Sequence, residues 1–140
     1  MTPDPHLSDL GPLTWNADAG WWEGERAGPD GPLRFHLVRP EGGADLLARF
    51  MALEAGLRGE IARRALAAAD GWTFEAPEDG GPPVPPTPAS LARRLRLGEL
   101  GVDASGTLSA LYDDPDPFTD HTIFVILGPD LEVREVEVAG

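Results

Sequence analysis

The first clear alternation lies at residues 33–37, where Leu33, Phe35 and Leu37 are interleaved with Arg34 and His36. A period of two marks a strand with one face in a core and one outside it. Upstream, Leu13-Thr14-Trp15 and Trp21-Trp22-Glu23 flank the turn-rich stretch 16–20 and predict a hairpin, with a second turn at 27–32. Residues 40–43 end the strand that follows. The period then changes. Leu46, Phe50, Leu53, Leu57 and Ile61 recur every three or four positions, Leu47 and Met51 widen the stripe, and the alanine-rich 65–69 extends it. This predicts an amphipathic helix. It is one long helix over 44–70 or two shorter ones, because Gly56 and Gly59 weaken its middle. Gly71 supplies a stop.

Six prolines and the pair Gly80-Gly81 fall within 77–88, which predicts an extended surface loop rather than a helix or central strand. Thr87-Pro88 is a helix start, a cap followed by proline at the first position, and predicts a short helix over 89–95. The remainder reads as strands: 95–102, where the alternation slips at Gly98 as a bulge would make it; 107–112; 121–127; and 133–138. The third of these is apolar on both faces, so a central, doubly covered position is expected. The order of strands, helices and strands defines an α+β domain over 11–140, preceded by a flexible lead-in at 1–10. The expected architecture is a mostly antiparallel sheet of about six strands with the helices packed on one face.

Charge narrows the partners. The 140 residues hold 24 acidic and 11 basic side chains, a net charge of −13. Such a surface repels nucleic-acid phosphates and anionic headgroups, so neither nucleic acid nor membrane is expected as a partner, whereas a basic protein or a cation is compatible. With no cysteine, disulfides, thiolate metal sites and cysteine nucleophiles are excluded. The run Ile123–Leu127 is too short to span a bilayer. Residues 1–10 lack the basic and apolar regions of a signal peptide, and a cytoplasmic location is the expectation.

Gly11-Pro12-Leu13-Thr14-Trp15 followed by Trp22-Glu23-Gly24 resembles the opening of a group of bacterial proteins, the domain of unknown function 2262 family. The closing stretch resembles theirs as well, with Tyr112-Asp113-Asp114 and then Phe118, His121, Ile123 and Val125. The resemblance implies a fold and a bacterial origin. It transfers no activity, cofactor or site residue.

Five residues form the densest candidate site: Asp113, Asp114, Asp116, Asp120 and His121. Carboxylates and an imidazole this close suit a divalent cation, which prefers oxygen ligands. The spacing is not that of a calcium loop, and aspartate-capped turns stiffened by Pro115 and Pro117 are the preferred reading. His36 is a candidate general base, although a partly exposed sheet residue is the simpler account. None of the four serines lies in G-x-S-x-G, and P-loop, dinucleotide-binding and H-E-x-x-H signatures are missing. Trp21 and Trp22 point to opposite faces if they share a strand, so one of them is exposed or covered by a loop. Both are candidate partner-binding residues. Residues 82–86 read as a stiff loop in preference to a polyproline ligand. Arg63, Arg64, Arg93, Arg94 and Arg96 read as members of surface ion pairs. No cofactor is implied. The preferred reading is a non-enzymatic, acidic protein-interaction module of the inhibitor or immunity type. The alternatives are a metal-dependent enzyme or cation-binding protein built on 113–121, and a self-associating structural domain.

Overall fold

A computed structural model describes residues 13–68, 87–113 and 122–139. Three strands come first: β1 (Thr14–Asn16), β2 (Trp21–Gly28) and β3 (Gly31–Leu37). Helices α1 (Pro40–Ala68) and α2 (Pro88–Arg94) follow, and then β4 (Arg96–Val102), β5 (Leu108–Asp113), β6 (Thr122–Leu127) and β7 (Val133–Ala139). The strands lie side by side in chain order in one sheet. Every neighbouring pair is antiparallel except β3 and β4. The expected sheet of about six strands is therefore corrected to seven among the described residues, with one parallel pair. The cause is the connection: antiparallel neighbours need only a turn, but a chain that leaves β3 through helices re-enters the sheet in the same direction.

Alternate residues of each strand fill a core with the helices. Leu33, Phe35 and Leu37 of β3, Leu100 and Val102 of β4, Leu108 and Tyr112 of β5, and Ile123, Val125 and Leu127 of β6 are all buried. Leu47, Phe50, Ile61, Ala62 and Ala65 of α1 and Leu91 of α2 close over them. Thr87 caps α2 reciprocally: its hydroxyl accepts the Ser90 N–H and the Ser90 hydroxyl accepts the Thr87 N–H. The slip at Gly98 is a register shift between Leu97 and Glu99 against β5, and it returns Leu100 and Val102 to the core face.

Of the two alternatives expected for α1, the single long helix is the one formed. Gly56 and Gly59 stand in open space, where glycine costs about 1 kcal/mol each, and the core contacts on either side outweigh that. It begins at Pro40, earlier than the stripe indicates, with proline at the first position. Gly42 there has φ +78°, a conformation that favours glycine. Its buried stripe is also displaced: Leu53 is 52% exposed and Glu54 is 3% exposed.

Glu54 occupies a core position because the fold surrounds it with donors. Arg58 Nε donates to Glu54 Oε1 at 2.6 Å and the Tyr112 hydroxyl donates to the same oxygen at 3.1 Å. The Arg58 guanidinium also donates to the Leu95 carbonyl at 2.9 Å and to both carboxylate oxygens of Asp30. Asp30, in the turn between β2 and β3, accepts the Leu97 N–H at 2.9 Å. The guanidinium lies 5.9 Å from the Tyr112 ring centre. One network thus joins α1, the β2–β3 turn, the start of β4 and β5. Burial of the Tyr112 phenol, with the Glu54 charge beside it, pushes its pKa far above the ordinary value, so the hydroxyl remains a donor.

The strand expected to be central and covered on both faces is corrected. It is β6, next to the edge strand β7. Ile123, Val125 and Leu127 are buried, whereas Thr122, Phe124 and Ile126 are only half-buried. Among the described residues, apolar positions on both faces here mark one core face and one half-buried face that no helix covers.

Candidate functional site

The face of the sheet opposite the helices carries the concentration of chemistry. Alternation places Trp21, Glu23 and Glu25 of β2, Arg34 and His36 of β3, and Glu99 and Gly101 of β4 on this side. Ser109 and Leu111 of β5, Phe124 and Ile126 of β6, and Glu135 and Glu137 of β7 continue it.

His36 is its centre. Its cross-strand partner on β2 is Glu23, and its partner on β4 is Gly101. Trp21 is the diagonal neighbour, close enough for large rings to meet. The two rings stack at 4.1 Å between centroids and 26° between planes. On the other side the tip of the imidazole reaches over β4, where a β-carbon on Gly101 would stand 2.1 Å from its Nε2. Any larger residue there would displace the His36 ring. The Trp21 indole N–H donates to Glu23 Oε2 at 3.1 Å, and the Asn16 amide donates to the same oxygen at 3.3 Å. Glu99 Oε1 is 3.7 Å from His36 Nδ1, near enough for attraction but too long for a hydrogen bond.

Burial between Trp21 and β4 lowers the His36 pKa below 6.5, and the charges of Glu99 and Glu23 offset part of that shift. The imidazole is therefore mostly neutral at pH 7.

Two hollows flank the stack. One, of about 540 Å³, is lined by Trp21, His36, Glu23, Glu25, Glu99 and Arg34 among others. The other, of about 240 Å³, is lined by Trp21 and His36 on one side and by Val38, Ser109, Phe124 and Ile126 on the other. The first is acidic: three carboxylates face one guanidinium, and Arg34 is paired in register with Glu25 and Glu99. Farther along, Glu137 holds the Glu135 carboxyl above its ordinary pKa by hydrogen bonding and like charge.

Of the expected partner-binding residues, Trp21 belongs to this face. Trp22 does not. It pairs with Trp15 and Leu37 on the helix side, its ring 5.3 Å from that of Trp15. Both Trp21 and Trp22 are half-buried, and among the described residues the exposed tryptophan is Trp15 at 49%. Of the expected metal ligands, Asp113 is an exposed residue at the end of β5, while Asp114, Asp116, Asp120 and His121 lie outside the described residues, as do the lead-in and the prolines from Pro77 to Pro86. Among the described residues no three metal-ligating side chains converge. Of the arginines expected to pair at the surface, Arg64 meets Glu60 at 3.0 Å. The arginine of structural consequence is Arg58, which the sequence does not single out.

Comparison with protein-family models, curated protein sequences and solved structures returned no match. No helix among the described residues is long and apolar enough to cross a membrane.

Proposed function

We propose that the protein is a non-enzymatic interaction module that binds a basic protein through the open face of its sheet, as an inhibitor or immunity-type protein does. The observation that carries this reading is a sheet face that combines carboxylates with half-buried aromatic and aliphatic side chains while both helices occupy the other side. Water-exposed apolar surface next to charge is typical of surfaces that are covered on association. The sign of the charge selects a cationic partner. The crowding of Glu135 by Glu137 adds repulsion that such a partner relieves. The likeness of the chain's two ends to the domain of unknown function 2262 family belongs to the same proposal, as does a bacterial, cytoplasmic setting.

The test uses a hexapeptide of alternating arginine and leucine, titrated at low and high salt. Reversing Glu25, Glu135 and Glu137 to lysine is compared with reversing Asp18, Glu60 and Glu132, an equal change in net charge. The proposal expects affinity to fall with salt and the first triple variant to bind at least about tenfold more weakly than the second. Equal effects of the two triples would reduce the attraction to net charge and remove the assigned face.

A further inference from the structure

The Trp21–His36 stack is a wall shared by two hollows, one lined by several carboxylates and one mainly by apolar side chains. On one side Glu23, Glu25 and Glu99 outnumber Arg34 around about 540 Å³, a volume within the range of ligand sites. On the other, Val38, Phe124 and Ile126 line about 240 Å³, with Asp103, Thr107 and Ser109 also in its lining. The wall is fixed in place from three directions: Trp21 is tied to Glu23 through its indole N–H, His36 lies on Trp21, and Gly101 leaves room beneath the imidazole. A tied wall fixes the separation of the two hollows.

We propose that the two hollows take one short extended segment of the basic partner, with an arginine side chain in the acidic hollow and an aliphatic side chain two residues away in the apolar one. Side chains at positions i and i+2 of an extended chain point the same way, about 6.8 Å apart. Stacked rings with centroids 4.1 Å apart are about 8 Å thick at their contact surfaces, and the long arginine side chain reaches around them by leaning away from its neighbour. Arginine is chosen over lysine because its planar guanidinium stacks on an indole and takes carboxylates in bidentate fashion. Glu99 and Glu25 are the carboxylates left for it, since Glu23 already accepts from Trp21 and Asn16. Arg34 lies in register between these two acids and leaves the hollow net negative while opposing any second cation. The segment recognised is thus arginine, any residue, then an aliphatic residue, or the reverse order.

The proposal rests on the open face being the binding surface, and its test is separable from that of the face. The probe is the blocked tripeptide leucine-glycine-arginine, titrated to millimolar concentration while the Trp21 indole and His36 imidazole resonances are followed. Replacement of its arginine by glutamine, or its leucine by glycine, gives the control peptides. The expected result is that both resonances move with the parent peptide, and that either control binds at least about tenfold more weakly. Glu99→Gln and Phe124→Ala, each checked for a native spectrum, are expected to weaken the parent peptide severalfold and to act on opposite ends of it. Unmoved Trp21 and His36 resonances, or equal binding of the glutamine peptide, would overturn the proposal. If the charge-reversal triples differ but these peptides do not, the hollows fall and the face stands. If the triples do not differ, both fall.

Discussion

Replacing Arg58 by methionine tests the polar network that joins the long helix to the sheet. The substitution keeps the length and most of the apolar stem of the side chain but removes the guanidinium. Glu54, at 3% exposure, would then keep the Tyr112 hydroxyl and lose its cation. Removing one partner of a buried ion pair costs about 3–5 kcal/mol, because the remaining charge is stranded in the interior. Asp30 and the Leu95 carbonyl lose donors as well, but Asp30 lies closer to solvent and recovers water. A loss of about 4 kcal/mol follows, or roughly 12 °C in Tm for a chain of this size. Denaturant unfolding provides the measurement. A double variant adds discrimination: Glu54→Leu with Arg58→Met removes both charges and is expected to be less destabilised than Arg58→Met alone, a coupling of about 2 kcal/mol. A cost below about 1 kcal/mol for Arg58→Met, or strict additivity in the double variant, would refute the account of Glu54 as a desolvated carboxylate held by Arg58.

Further outcomes follow from the same geometry. Gly101→Ala places a methyl group where the His36 ring lies; it is expected to destabilise by about 1–3 kcal/mol in thermal melts, and to do little in a His36→Ala background. Imidazole NMR is expected to show His36 titrating below 6.5, with Glu99→Gln lowering it further and Trp21→Ala bringing it back toward that value. Because the unfolded state binds the proton at higher pH than the native state, the stability tied to neutral His36 is complete above 6.5 and declines as pH falls through the lower native value. A native pKa at or above 6.5 would contradict its burial. For Asp30, burial works against ionisation, but the Arg58 hydrogen bond, the Leu97 N–H and the charges of Arg58 and Arg96 prevail and hold the carboxyl below 3.8. Its contribution is therefore full above that pH and lost on acidification below it, an effect that should shrink in Arg58→Met. Leu53→Gln is expected to change stability by less than about 0.5 kcal/mol while Phe50→Ala costs about 3–5 kcal/mol; comparable losses would restore Leu53 to the core.

Local signals made much of the fold legible. Leu33, Phe35 and Leu37 alternate because β3 has one core face, the irregular spacing around Gly98 is a bulge, and Thr87-Pro88 starts a helix through its own capping bonds. Each depends on residues adjacent in the chain. The parallel pairing of β3 with β4 was not legible, since it depends on how the helices return the chain. The stripe of α1 misled at Leu53 for a definite reason: hydrophobicity ranks leucine above glutamate, but Glu54 has Arg58 one turn later and Tyr112 across the core. The acid and base four residues apart on the inward side were the available sign. The candidate site was half legible. Trp21 and His36 stood out separately, yet Gly101 and Glu99 join them only through the β3–β4 register, which residue spacing does not encode.

Assigned amide shifts, followed on titration with the arginine–leucine hexapeptide, locate the surface that meets a basic partner. If that surface is the sheet face opposite the helices, the largest changes fall at Trp21, Glu23, His36 and Glu99 and extend to Phe124 and Ile126, with α1 and α2 unmoved. Changes concentrated on the helices, or scattered evenly over the acidic residues, would contradict that assignment.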